Sequence, residues 1–259
     1  MFKRVTYMAY ALLAYGAFLA TYLYTIGFVS GIYVANPLDG AAIDPWWLAL
    51  AIDAGLIGVF ALQHSGMARP AFKRWWTRMV PEPIERATYV LLSCVALALL
   101  FWQWRPLGGT VWSVEDPGLK GLLDTVACAG WLGVPAASFF INHFDLFGLR
   151  QAWLHLRGKP YTPLRFGVPG PYKYVRHPLY VAWLMAFWAT PTMSVAHLVF
   201  ALGMSAYILM AIRVEERDLE AFHGAAYRAY RKRVPMLIPN LGAGKEEAEA
   251  LLKGETTAL

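Results

Sequence analysis

Long apolar runs separated by short basic loops constrain this chain more than any other feature. Residues 5–34, 45–66, 84–104 and 122–147 each offer about the 20 mostly apolar positions that a helix needs to cross a bilayer. A fifth apolar region, 178–212, is too long for one helix and is interrupted at Thr190-Pro191-Thr192. A proline there removes a helical hydrogen bond and favours a turn. The region therefore reads as a helical hairpin, 178–189 and 194–212, with a short first arm. Six passes result. With 58% hydrophobic and 15% charged residues among 259, a soluble core could not hide the apolar surface.

The charges test that count. Of the 23 Lys and Arg residues, 21 lie before the first run, after the second and fourth runs, or beyond the hairpin, and only Arg105 and Lys120 flank the other side. The positive-inside rule then puts both termini in the cytoplasm, which requires an even number of passes. A bacterial inner membrane is the expected location. The same scatter argues against nucleic acid as the partner of the +6 net charge, because no basic block or stripe forms. Membrane lipids are the expected surroundings. Tryptophans at the ends of the runs, Trp46-Trp47, Trp75-Trp76, Trp102 and Trp104, read as interface anchors. Cys94 and Cys128 lie in apolar segments without metal-ligand spacing and read as packing residues. The first run is too long for a signal-peptide core and is expected to be retained. From residue 241 to 259 the chain turns polar and is expected to be peripheral or disordered.

Two polar blocks bracket the hairpin. The first runs Gly170-Pro171-Tyr172-Lys173-Tyr174-Val175-Arg176-His177-Pro178-Leu179-Tyr180. The second carries Glu215-Glu216-Arg217-Asp218-Leu219, then Phe222, Gly224, Tyr227, Tyr230 and Arg231, and closes on Val234-Pro235-Met236-Leu237-Ile238-Pro239. A hairpin returns the chain to its starting side, so these blocks are expected to meet. Their chemistry suits a cationic cofactor bearing a carboxylate and an adenosine. Arginine grips carboxylates, glutamates accept from ribose hydroxyls or an ammonium, and aromatic rings attract a sulfonium. Each residue alone has a plainer reading, an Arg176–Glu216 ion pair at a helix end and an interfacial tyrosine belt.

The order of these residues resembles the isoprenylcysteine carboxyl methyltransferase-like membrane methyltransferases. It comprises Arg-His-Pro-x-Tyr, a hairpin, Glu-Glu-x-x-Leu, Phe-x-Gly-x-x-Tyr-x-x-Tyr and Val-Pro-x-x-Ile-Pro. The resemblance implies an all-α fold, a polytopic transmembrane helical bundle with a cytoplasmic cofactor-binding cap and no Rossmann sheet. It also implies S-adenosylmethionine as cofactor. At matching positions it implies that Tyr172, Arg176, His177, Pro178, Tyr180, Glu215, Glu216, Tyr227, Tyr230 and Arg231 line or support the cofactor pocket. Ala182 departs from the glycine common in that family, which puts close helix packing there in doubt. Residues 1–240 are expected to form one domain, with substrate-side helices in 1–150 and the cofactor region in 151–240.

Ionisable residues within membrane spans default to functional hypotheses. Gln63-His64-Ser65-Gly66-Met67-Ala68-Arg69 and Asn142-His143-Phe144-Asp145-Leu146-Phe147-Gly148-Leu149-Arg150 end the second and fourth runs, both on the expected cytoplasmic side. His64, His143, Asp145 and His177 are thus expected at one membrane level. Asp53 lies eleven residues before His64, on the same helix face, either lining a path or tying helices together. Asp124 and His197 read as interface or packing residues. These His64 and Asn142-to-Arg150 segments are similar to those of the methanethiol S-methyltransferases, dimethyl sulfide-forming members of the wider group, and NnrU-like proteins share a related plan. The resemblance implies methylation of a small thiol. A simple thiol, with a pKa of roughly 8.5, must lose its proton to attack. His64 or His143 is the candidate base, with Asp145 orienting a histidine or Arg150, and no metal is expected. Other readings are a lipid amine or prenylcysteine carboxylate as acceptor, or a non-catalytic NnrU-like membrane protein.

Overall fold

Apolar helices dominate because, in lipid, a chain must satisfy its backbone hydrogen bonds within each segment. A computed structural model describes residues 1–164, 166–240 and 242. Apart from Gly242, the polar tail expected at 241–259 lies outside the described residues, as do the basic residues Arg165, Lys245 and Lys253. In chain order the elements are α1 (Phe2–Ser30), α2 (Trp46–Ala68), α3 (Pro70–Trp76), α4 (Glu82–Gln103), β1 (Thr110–Ser113) and α5 (Pro117–Phe140). There follow α6 (His143–Leu146), α7 (Leu149–Leu156), α8 (Pro178–Trp188), β2 (Thr192–Ser194), α9 (Val195–His223) and α10 (Ala225–Arg233). Helices α1, α2, α4, α5 and α9 are long and apolar enough to cross a membrane. The protein is an all-α, polytopic integral membrane protein.

The sixth expected pass is α8. It has 11 residues, which advance about 16 Å against a hydrocarbon thickness of about 30 Å. It stops at Trp188, one residue short of the expected end, and β2 takes up the chain just after Pro191. The fourth run ends earlier than its apolarity suggests. Helix α5 stops at Phe140, and Asn142 takes a left-handed conformation (φ 73°) before α6. Asparagine tolerates that region better than most residues, so the chain turns there although Phe144, Leu146 and Phe147 continue the hydrophobic pattern.

The chain divides into two compact, interleaved units. Of the described residues, one contains 1–124, 144–161 and 189–207, and the other 125–143, 162–164, 166–188, 208–240 and 242. In the first unit α4 packs against α1, α2 and α7. A seam of small residues, Ala11, Ala14, Ala87 and Ala152 with Leu149, lets α1, α4 and α7 approach closely. Gly148 starts α7 at φ 86°, where a Cβ would stand 2.6 Å from the Ala87 nitrogen. Only glycine fits that approach. At the other end Phe28, Phe101, Trp104 and Phe200 form an edge-and-tilt aromatic cluster. Strands β1 and β2 pair antiparallel and close the backbone of the two connecting loops.

The second unit has its core where Tyr227, Tyr230, Val168 and Val234 pack with Phe166, Tyr172 and Leu219. Helices α5 and α8 touch through Gly130 and Gly133 on one side and Ala182 and Ala186 on the other. The doubt raised by Ala182 is thereby answered. The glycines that permit close approach stand on the facing helix.

Candidate active site

The two polar blocks meet within the second unit. Proline 235 cannot donate, so α10 ends at Arg233 and the chain leaves it through a series of bends. Its carbonyls are then available. Arg176 N donates to Pro235 O at 2.8 Å and His177 N to Met236 O at 3.3 Å, while Asn240 N donates to Tyr174 O at 3.0 Å. Tyr230 Oη ties α10 to the Tyr172 carbonyl at 2.8 Å.

Around this seam the charged groups interlock. Arg176 Nε donates to Glu216 Oε1 at 2.7 Å, and its Nη1 donates to the carbonyls of Arg231 and Val234. A guanidinium among the last carbonyls of α10 also complements the negative end of that helix. His177 Nε2 lies 3.0 Å from the same Glu216 oxygen. Neighbours on a helix point about 100° apart, so Glu215 faces elsewhere and accepts from Tyr180 Oη at 2.9 Å. Pro178 opens α8 directly after the pair Arg176-His177, which fixes where Tyr180 projects. Glu215 and Glu216 thus set two carboxylates beside the one guanidinium of Arg176.

Through Nε and Nη1, Arg176 braces Glu216 and joins α9 to α10. Arg231 contributes to the cluster through its carbonyl, while its guanidinium pairs with Glu220 at 3.0 Å. Tyr227 is 2% exposed, and its hydroxyl has no hydrogen-bond partner among the described residues. Buried polar groups are nearly always satisfied, so this orphan phenol points to a polar group of a bound molecule. Burial, reinforced by the Glu216 carboxylate, pushes the Tyr227 phenol above its ordinary value of 10, and burial with Glu215 does the same to Tyr172. Both stay protonated and can donate.

The remaining candidates fall into separate clusters. In the first unit, His64 on α2 lies within 3.1 Å of Tyr89 Oη and Ser93 Oγ on α4 and stacks on Phe60. Asp145 accepts from Arg150 Nη1 at 2.8 Å and from Tyr161 Oη at 3.3 Å, and the Arg150 guanidinium lies over the Tyr161 ring. Of the two partners expected for Asp145, the one it contacts in this unit is Arg150. In the second unit, His143 is 3% exposed, stacks on Phe139 at 4.2 Å, and its Nδ1 lies 2.7 Å from Ser138 Oγ. Burial lowers the pKa of its imidazole below 6.5, so it is neutral near pH 7. Asp53 is fully buried and accepts from the Arg105 backbone N–H at 2.9 Å. That contact gives it the structural role of holding a loop to α2. Among the described residues no group of three metal-ligating side chains occurs.

Tyr89, Ser93, Ser138 and Tyr161 escape sequence reasoning, because each is a common residue without a motif. For the first three the one signal available is a serine or tyrosine inside an apolar run. Such a group must find a hydrogen-bond partner in a membrane helix.

No protein-family model matches the chain, and no solved structure matches it. Its sequence relatives are more informative. Over 240 residues it is 51% identical to the methanethiol S-methyltransferase of Crocosphaera subtropica, covering 93% of this chain and 94% of that protein. Over 237 residues it is 48% identical to the methanethiol S-methyltransferase of Mycobacterium tuberculosis, covering 92% and 97%. A more distant likeness, 27% over 205 residues, links it to Nurim of Xenopus laevis, covering 71% of this chain and 70% of that one. Near-complete coverage at about half identity spans both the histidine-bearing segments and the charged cluster, and the chain belongs to the methanethiol S-methyltransferase family.

Proposed function

We propose that the protein transfers a methyl group from S-adenosylmethionine to methanethiol, giving dimethyl sulfide and S-adenosylhomocysteine. The observation that carries this reading is the near full-length identity of 48–51% to relatives named for that activity. The Arg176–Glu216–His177 cluster supports it with suitable chemistry. When bound, the cofactor supplies a methyl group on a positively charged sulfur, open to in-line attack by a thiolate.

The residues of the second unit fit that cofactor. Glu215 and Glu216 offer two carboxylates that suit its ammonium and sulfonium. The buried Tyr227 phenol is an unsatisfied donor for its carboxylate or a ribose hydroxyl, and Tyr172, His177, Pro178, Tyr180 and Tyr230 shape the surroundings. Arg176 holds Glu216 in place. Methanethiol must lose a proton, and His64 or His143 accepts it, while Asp145 orients Arg150. Both termini face the cytoplasm in this reading, carried by the distribution of Lys and Arg.

Headspace gas chromatography over detergent-purified protein given methanethiol and S-adenosylmethionine tests the proposal. Dimethyl sulfide is expected from the wild type and not from an Arg176→Ala, Glu216→Ala variant. No product from protein that still binds S-adenosylhomocysteine would remove methanethiol as the substrate. His64→Ala and His143→Ala separate the two candidate bases. The true base loses about 10²–10⁴-fold in kcat with cofactor affinity retained, and a variant that instead loses cofactor binding is excluded from that role.

A further inference from the structure

The two candidate bases, although on different helices and in different units, share one local device. Ser93 Oγ lies 3.0 Å from the Tyr89 carbonyl, one turn back on α4, and 3.1 Å from His64 Nδ1. Ser138 Oγ lies 2.7 Å from the Pro135 carbonyl on α5 and 2.7 Å from His143 Nδ1. A hydroxyl has one hydrogen to donate, and a carbonyl can only accept. An oxygen–oxygen approach of that length requires the hydroxyl hydrogen to lie between them. Each serine must therefore accept from its histidine, and each Nδ1 must carry the ring proton.

We propose that Ser93 and Ser138 are positioning residues that lock His64 and His143 in the Nδ1–H tautomer, leaving Nε2 as the basic nitrogen of each ring. This rests on the reading of those histidines as candidate proton acceptors. Neutral imidazole presents one donor and one acceptor, and the hydrogen bond at one nitrogen decides the role of the other. At His64 the Tyr89 Oη stands 3.0 Å from Nε2 and 3.1 Å from Nδ1; with the Nδ1 proton shared with Ser93, the lone pair left for the phenol hydrogen is that of Nε2. At His143 the ring is fixed against Phe139, nearly parallel at 7°. Stacking on Phe60 at 28° holds the His64 ring in the same manner. The serine sets the tautomer, and the aromatic neighbour sets the plane.

The direct test reads nitrogen protonation, not turnover. Protein labelled with ¹⁵N-histidine is measured in detergent at a pH well above the free imidazole pKa of about 6.5. Resonances are assigned by their loss in His64→Gln and His143→Gln. Both wild-type rings should show protonated Nδ1 and unprotonated Nε2, and a wild-type Nε2–H form at either ring would overturn the proposal for that ring. Ser93→Ala should redistribute the tautomers of His64 alone, and Ser138→Ala those of His143 alone. At whichever histidine is the base, the Ala variant lowers kcat by about tenfold at unchanged KM for the cofactor, and Ser→Thr restores it. The wild-type spectrum reads both tautomers without any serine variant, the His→Gln variants serving only for assignment. It also gives its answer if methanethiol proves not to be the substrate, so failure of the lock and failure of the proposed reaction read out separately.

Discussion

Replacing Gly130 by alanine tests the closest helix contact of the second unit. A Cβ at this position would lie 2.6 Å from the Ala186 nitrogen and 2.8 Å from the Ala182 oxygen, whereas ordinary contact begins at 3.4 Å. The obstructing atoms are backbone, so no side-chain rotation relieves them. Helices α5 and α8 must separate by close to 0.8 Å to bring the shorter distance to 3.4 Å. Overpacking of this kind costs about 1–3 kcal/mol, which for a chain of this size corresponds to a fall in Tm of roughly 2–10 °C. Tryptophan fluorescence during heating of the detergent-purified variant measures it. Because α8 begins immediately after Arg176 and His177, affinity for S-adenosylhomocysteine should fall as well. Gly133→Ala, whose Cβ would meet the Ala182 methyl at 3.0 Å, should cost less. Gly121→Ala on the same helix meets nothing within 4 Å and should be neutral or stabilising. Equal melting of the Gly130 and Gly121 variants would refute the close approach of the two helices.

Two further predictions concern buried polar groups. Tyr227→Phe removes a hydroxyl that has no partner among the described residues, so Tm should hold or rise while affinity for S-adenosylhomocysteine, read by calorimetry, drops about tenfold. Loss of stability without loss of affinity would place the phenol's partner in the protein. Burial depresses the pKa of His143 below its ordinary 6.5, so the unfolded chain binds the extra proton first. The stabilising contribution of the neutral ring is complete above 6.5 and is lost as pH falls below it, towards the folded pKa. Chemical unfolding at a series of pH values should show a shallower acid-side loss in His143→Gln than in the wild type, and parallel curves would contradict this.

Much of this architecture was legible because the bilayer imposes a simple rule on composition. The hairpin break follows from Pro191, and the meeting of Arg176 with Glu216 follows from a hairpin that returns the chain to its starting side. The end of α5 was not legible, since hydrophobicity continues through Phe147 while the backbone turns at Asn142. The division into interleaved units was equally hidden, because it depends on which helix faces touch and not on where loops fall. Ser93 and Ser138 were hidden for a related reason. Their role depends on which carbonyl takes the hydroxyl hydrogen, and the sequence does not display that choice. For Arg176 the ion pair with Glu216 was legible from the sequence, whereas its bonds to the carbonyls of Arg231 and Val234 depend on where α10 ends.

The shortness of α8 bears on how the protein is made. Eleven residues are a weak signal for the insertion machinery, which recognises about 20. During synthesis this arm therefore depends on α9, 29 residues long, emerging behind it and entering as its companion. Arg176 cannot meet Glu216 until 40 further residues exist, and its backbone cannot pair until Pro235 has followed. The ribosome thus completes the membrane anchors long before it delivers the last strut of the charged cluster. A stalled or truncated chain would be embedded in lipid but would lack its proposed cofactor site.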